Sequence, residues 1–254
     1  MPFPQRLQQN HEKSIKKFSY WRGGNRVRKE LYVYLDGNPV RVTIRRYGEK
    51  DFDALIDIQR ESFPPPFPEE LWWNKEQLRE HVTRFPEGAL CAEAEGRLVG
   101  SMTGLLVRDE QLEGAHTWEA ATDGGYIRNH DPSGETLYVV DICVIPAYRK
   151  AGIGKWLMST MYETVVHLGK RRLLGGGRMP GYHKVKDRMT AEEYLAKVVA
   201  GELHDPVVGF LLRCGRVPVG VAAGYLEDEE SCNCAALMEW RNPFRLTGSG
   251  ACTY

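Results

Sequence analysis

The residues of this chain that most directly imply chemistry run from Val144 to Lys155, Val-Ile-Pro-Ala-Tyr-Arg-Lys-Ala-Gly-Ile-Gly-Lys. An apolar stretch, Leu137 to Cys143, leads into them, and a helical pattern, Trp156 to Leu168, leads out. A strand therefore enters a tight turn and leaves as a helix. The first amides of a helix have no partner within it and carry partial positive charge, so such a junction attracts anions. Gly152 lets the backbone turn sharply, and Gly154 lets a ligand approach the chain closely. Arg149 and Lys150 add fixed positive charge beside it. The spacing is neither that of a Walker loop nor that of a Rossmann fingerprint. The expectation is a diphosphate site made mainly of main-chain nitrogens.

The elements that position this turn can be read from periodicity and punctuation. Residues 1–30 read as an N-terminal arm, basic and solvated, and 31–254 as one domain with a helical insertion at about 184–204. A hairpin is expected over Leu31–Leu35 and Val40–Arg46, and helices over Asp51–Ser62 and Glu69–Phe85. Strands follow at Ala89–Ala94 and Leu98–Val107, then an irregular surface loop, Gly114–Gly134, containing a short strand. After the strand at 137–144 and the helix at 153–168 come a strand at Arg171–Gly175 and a glycine-rich loop, Gly175–Lys184. Thr190-Ala-Glu-Glu193 is a capping box for a helix to Val199, and Asp205–Cys214 reads as a short helix ended by Gly215. Val217–Tyr225 and Ala235–Trp240 close the pattern as strands. The order predicts a mixed α/β sheet whose central strand delivers the turn.

Composition narrows the function classes. Lys plus Arg and Asp plus Glu number 34 each, which argues against bulk nucleic-acid binding. No apolar run is long enough to span a bilayer and the N-terminus has no apolar signal core, so no membrane partner is expected. The 6 cysteines include no C-x-x-C pair, so no metal is expected, and a reduced, cytoplasmic setting fits them. Cys91 and Cys143 read as buried apolar groups, and Cys232 and Cys234 as strand residues sharing a face.

Asp141-Ile-Cys-Val-Ile-Pro146 followed by Arg149-Lys-Ala-Gly-Ile-Gly154 resembles the acyl-CoA-binding motif of the GNAT acyltransferase superfamily, Arg/Gln-x-x-Gly-x-Gly/Ala. The order of elements agrees over roughly residues 40–240. Gly176 to His183, Met189 to Tyr194, Asp205 to Phe210 and Leu237 to Trp240 are similar to the GNAT-type domain fused to some bacterial carbon–nitrogen hydrolases. A looser similarity is to the GNAT-like domains of polyketide-synthase loading modules, which decarboxylate malonyl-CoA and pass acyl groups to a carrier protein. The resemblance implies an α+β fold with a mostly antiparallel sheet, splayed between its two central strands. It implies acetyl-CoA or another acyl-CoA as cosubstrate, its diphosphate on Lys150, Ala151, Gly152, Ile153, Gly154 and Lys155, and its pantetheine arm along Cys143, Val144 and Ile145. The acceptor would be a small-molecule amine or a carrier protein, and a homodimer is compatible with it.

Within that frame Asp141 matches the acidic residue that serves as base or amine anchor, and burial in a strand would raise its pKa. The Val144 amide would polarise the thioester carbonyl. Leu211 stands where the family commonly places an acidic tyrosine, and it has no proton to give. His183, which titrates near neutrality, is the expected substitute, with Tyr182 a weaker one. Thr103 and Thr136 are candidates for the threonine of the decarboxylating relatives. Arg178 would bind a substrate carboxylate. Of the adjacent Trp72 and Trp73, only one can point inward; Trp72 is carried as a substrate candidate. Glu227 to Glu230 form an acidic turn that reads as a solvated hairpin tip, the alternative being a surface that attracts a cationic amine. The leading expectation is an acyl-CoA-dependent N-acyltransferase. Its rivals are a malonyl-CoA decarboxylase or S-acyltransferase and a non-catalytic acyl-CoA-binding module.

Overall fold

The computed structural model describes residues 27–114 and 116–245. Most of the N-terminal arm lies outside the described residues. The first strand, β1, spans Arg28–Leu35 and pairs with β2, Asn38–Arg46, so the hairpin takes in residues assigned to the arm from sequence. Helices α1, Phe52–Ser62, and α2, Lys75–Arg84, follow. Trp72 and Trp73 therefore precede α2 rather than lie within it. The cause is local: Asn74 caps α2, accepting from the amides of Glu76 and Gln77, and so sets its first turn. Strands β3, Ala89–Ala94, and β4, Arg97–Val107, come next. The expected short strand within 114–134 is instead a short helix, α3, Trp118–Thr122, capped by the Thr117 hydroxyl.

Strand β5, Thr136–Val144, and helix α4, Ile153–His167, flank the glycine turn as expected. Strand β6 runs from Arg172 to Arg178, so Gly175, Gly176 and Gly177 lie inside the strand, paired with Met238, Leu237 and Ala236, and not in a loop. Helices α5, Ala191–Val199, with its capping box on Thr190, and α6, Pro206–Arg213, precede the last two strands, β7, Val217–Ala222, and β8, Ala235–Arg241. Cys232 and Asn233 have positive φ in the turn before β8, so the Cys232–Cys234 pair is not on a strand face.

The eight strands form one sheet, in the order β1-β2-β3-β4-β5-β6-β8-β7. Every pairing is antiparallel except β5 with β6. Those two strands pair only at Thr136–Arg172, Leu137–Leu173 and Tyr138–Leu174, then part. A gap therefore opens beside the last residues of β5, and this confirms the mixed, mostly antiparallel, centrally splayed sheet. Leu55, Leu90, Met102, Leu105, Leu137, Ile145 and Leu157 are fully buried and pack helices against both faces. Burying such side chains is the main favourable term in folding. No helix among the described residues is long and apolar enough to cross a membrane.

Candidate active site at the splayed strands

The turn between β5 and α4 is built as the sequence predicts. Gly152 is the N-cap of α4 at φ 86°, and no side chain caps the helix. A Cβ on Gly152 would meet nothing within 4 Å, so its outer side is open. Lys150 also has positive φ, 66°. The result is a cradle of outward-facing amides at an uncapped helix start, which fits an anionic diphosphate. Gly154 serves packing: a Cβ there would lie 3.1 Å from Cζ of Phe210 on α6. Lys150 and Lys155 are exposed beside the cradle. Arg149 is used differently. Its Nε donates to the Val144 carbonyl at 3.0 Å and its Nη2 to the Ser62 carbonyl at 2.9 Å. The guanidinium thus ties the end of α1 to the end of β5.

Along β5 the backbone prepares one edge for a ligand. The Ile145 amide donates to Val99 on β4. Successive residues of a strand turn their amides to opposite edges, so the Val144 amide faces the gap. Between the pairs Thr103–Asp141 and Gly104–Val139 the register shifts, leaving Val140 unpaired as a bulge. Its carbonyl accepts a hydrogen bond from Trp118 Nε1 at 2.9 Å.

Asp141 follows the bulge. Burial raises its pKa to about 7, while a hydrogen bond from the Gln59 side chain, 2.8 Å to Oδ2, acts in the opposite direction. Gln59 is itself buried on α1 and also reaches the Cys143 sulfur at 3.8 Å. Burial pushes the Cys143 thiol up to about 12, so it stays protonated and inert. Thr103, opposite Asp141, is bonded to the Tyr47 hydroxyl at 2.8 Å, which in turn meets His81 Nδ1 at 3.0 Å. Burial lowers the pKa of His81 to about 4 and keeps it neutral, with its Nε2–H donated to the Gly125 carbonyl. Thr136 sits at the opposite end of β5 and bonds Asp109 and Arg172.

The remaining sequence candidates lie elsewhere. His183 is exposed, and its Nδ1 lies 2.8 Å from the Pro180 carbonyl and 3.0 Å from that of Glu230. It lines a 380 Å³ cleft with Lys184, Tyr194 and His204, to which β5 contributes nothing. The structure thus does not bring His183 and Asp141 to one pocket. Tyr182 is buried and donates to the Met189 carbonyl. Arg178 is paired with Asp228 at 2.6 Å and Glu230 at 2.9 Å, and lies over the Phe67 ring. Asp228 therefore turns inward from the acidic run, whereas Glu227, Glu229 and Glu230 are exposed. Trp72 donates to the Phe63 carbonyl, while Trp73 is the one that enters the core, against His81 and Trp118.

Sequence reasoning missed Gln59, His116, Tyr138 and Tyr225. His116 Nε2 lies 2.7 Å from the Tyr138 hydroxyl, which lies 2.9 Å from that of Tyr225. Tyr138 was visible only as one more apolar residue of a strand. Tyr225, 87 residues away, reaches it through tertiary structure alone.

Comparison with known proteins agrees with this architecture. The acetyltransferase (GNAT) family matches residues 52–176, which span α1 to the middle of β6. The chain is 54% identical to the uncharacterized N-acetyltransferase YkwB of Bacillus subtilis, over 86% of this chain and 96% of that one. It is 39% identical to the probable hydrolase YhcX of the same organism, over 80% of this chain but only 39% of that longer protein. Among solved structures it is similar to the GphF GNAT-like decarboxylase in complex with isobutyryl-CoA, at 25% identity and a TM-score of 0.63 over 78% of this chain and 98% of that one. The loading GNATL domain of CurA from Lyngbya majuscula shares the fold, at 20% identity and a TM-score of 0.68 over 79% and 97% of the two chains. With its splayed central strands, its uncapped turn and a relative matched over nearly its whole length, this chain belongs to the acetyltransferase (GNAT) family and is an acyltransferase.

Proposed function

We propose that this protein transfers an acyl group, acetyl in the simplest case, from coenzyme A to a primary amine. The observation that carries the reading is the joint geometry of the uncapped glycine turn and the gap that opens beyond Tyr138 and Leu174. From Val144 back to Tyr138 the strand spans about 20 Å at ~3.3 Å per residue, which suits an extended pantetheine arm. In this reading the amides of residues 150–155 hold the diphosphate, with Lys150 and Lys155 supplying charge. The arm lies along Cys143, Val144 and Ile145 as an added strand would, and the Val144 amide, the one facing the gap, polarises the thioester carbonyl. Asp141, in its ionised form, receives the amine and fixes it beside the gap. Gln59 holds that carboxylate in place.

A second reading is malonyl-CoA decarboxylation followed by acyl transfer to a carrier protein, favoured by the likeness to the GphF decarboxylase. There the enolate formed as CO2 leaves would need a donor at the gap other than His183, whose cleft receives nothing from β5.

Thiol release from acetyl-CoA and from malonyl-CoA, with and without spermidine, L-lysine and a lysine-containing peptide, separates the two. Acetyl-CoA consumed only in the presence of an amine supports N-acylation. Malonyl-CoA converted to acetyl-CoA without an acceptor supports decarboxylation. Coenzyme binding with no turnover of either ester leaves a binding module and contradicts both.

A further inference from the structure

We propose that Tyr225 and Tyr138, ending on His116, form a proton-accepting relay at the apex of the gap between β5 and β6. This rests on the acyl-transfer reading above and supplies what that reading lacks, a route for the proton that the attacking amine must lose.

Position is the first support. Tyr138 is the last residue of β5 paired with β6. Gly176 lies on β6 just past its partner Leu174, and a Cβ there would lie 2.3 Å from Cζ of Tyr225 and 2.7 Å from its hydroxyl oxygen. The Tyr225 phenol therefore lies flat against β6 where the strands have parted. Trp118, whose Nε1 reaches the bulge at Val140, also donates its main-chain amide to the Tyr225 carbonyl at 2.7 Å. The segment carrying His116 and Trp118 thus crosses from the β5 bulge to the turn after β7.

Connectivity and polarity are the second. Tyr225 and Tyr138 are buried, at 4% and 0% exposure, and His116 is half-buried. A hydrogen bond to the Leu112 carbonyl takes one imidazole N–H of His116. In neutral His116 that leaves Nε2 as an acceptor. Tyr138 then donates to His116 and Tyr225 donates to Tyr138; the Tyr225 oxygen accepts from the Gly176 amide and keeps one further lone pair. The charges facing the chain act in the same direction. Burial, with a smaller contribution from the Arg172 charge, lowers the His116 pKa and so favours the neutral imidazole, against the opposing Leu112 hydrogen bond. Arg216 faces both phenols and eases passing negative charge on them. No carboxylate is in hydrogen-bond contact with His116, Tyr138 or Tyr225 among the described residues.

The step balances. As the amine nitrogen bonds to the thioester carbon, its proton passes to the Tyr225 oxygen. The Tyr225 proton moves to Tyr138 and the Tyr138 proton to His116 Nε2, leaving an imidazolium with access to solvent. The carbon–sulfur bond breaks and its electron pair leaves with sulfur. Leu211, which is buried and has no proton to give, takes no part.

The test compares the full-length protein with Tyr225→Phe, Tyr138→Phe and His116→Gln. Acetyl-CoA is the donor and the fastest amine of the panel above is the acceptor. Each tyrosine variant removes one oxygen from a packed site, and thermal unfolding with and without CoA reports its folding. The expected result is a fall in kcat of about 10²-fold or more in each variant, with the KM for acetyl-CoA within about twofold of wild type. The acid limb near pH 7, which Asp141 sets, should remain in all three variants. Folded variants that keep kcat within about twofold overturn the relay while leaving acyl transfer intact. A wild-type protein that binds acetyl-CoA but acylates no amine overturns the transfer reading and the relay together.

Discussion

Asp141 and its neighbours show how burial prepares a functional group at a cost to stability. A carboxyl with a pKa near 7 in the folded chain and near 3.9 when unfolded binds more protons folded than unfolded between those values. Its contribution to stability is therefore lost as pH rises from about 4 to about 7. Asp141→Asn should accordingly raise the melting temperature at pH 8, by about 2–4 °C per kcal/mol relieved, while lowering kcat/KM for the amine by at least about tenfold. Paired melts and kinetics check this, and a variant both less stable and fully active contradicts the assignment. Activity of the wild type should rise through about pH 7 as the carboxylate ionises. Gln59→Leu, which removes the hydrogen bond that favours the charged form, should move that limb to higher pH. Asp141 was legible because a carboxylate inside an apolar strand is conspicuous. Gln59 was not, because nothing in an amphipathic helix marks the one polar residue that faces the sheet.

The elements around the gap depend on close approach. Gly176 and Gly177 read in sequence as loop residues, since a run of glycines ordinarily signals a turn. In the fold they let β6 lie against Tyr225 on one face and Leu211 on the other, where Cβ atoms would sit 2.3 and 2.5 Å away. Gly176→Ala should therefore destabilise the protein by about 1–3 kcal/mol by overpacking, read as a fall in the denaturant midpoint. An unchanged midpoint would show that Tyr225 does not occupy the space beside β6. Arg149 also changes meaning once the elements are placed. Sequence offered it as a phosphate ligand, whereas its guanidinium joins the carbonyls of Ser62 and Val144. Arg149→Ala should cost about 1 kcal/mol of stability through the two lost hydrogen bonds, measurable by urea unfolding without coenzyme. Periodicity and caps gave the boundaries of most helices and strands to within a few residues. The exceptions, α3 and the residues before α2, are short pieces set by the Thr117 and Asn74 caps and by tertiary packing.

Across the chain, one eight-stranded sheet brings three distant segments to a single gap: the β5–α4 turn, α1 with Gln59, and the Tyr225 turn after β7. The first was legible because its chemistry is local in sequence. The other two come together only through the strand order, which places β8 and β7 beyond β6. The cleft that holds His183 is likewise a product of packing, made by α5 and the chain on either side of it. Titration calorimetry of the full-length protein with acetyl-CoA probes the whole arrangement, since the cradle, the arm's strand edge and the gap must act together. One site with a Kd on the order of 1–100 µM is predicted, weakened by at least about tenfold when Lys150 and Lys155 are both changed to Glu. No heat up to about 1 mM acetyl-CoA, or an affinity indifferent to both charge reversals, would contradict the account.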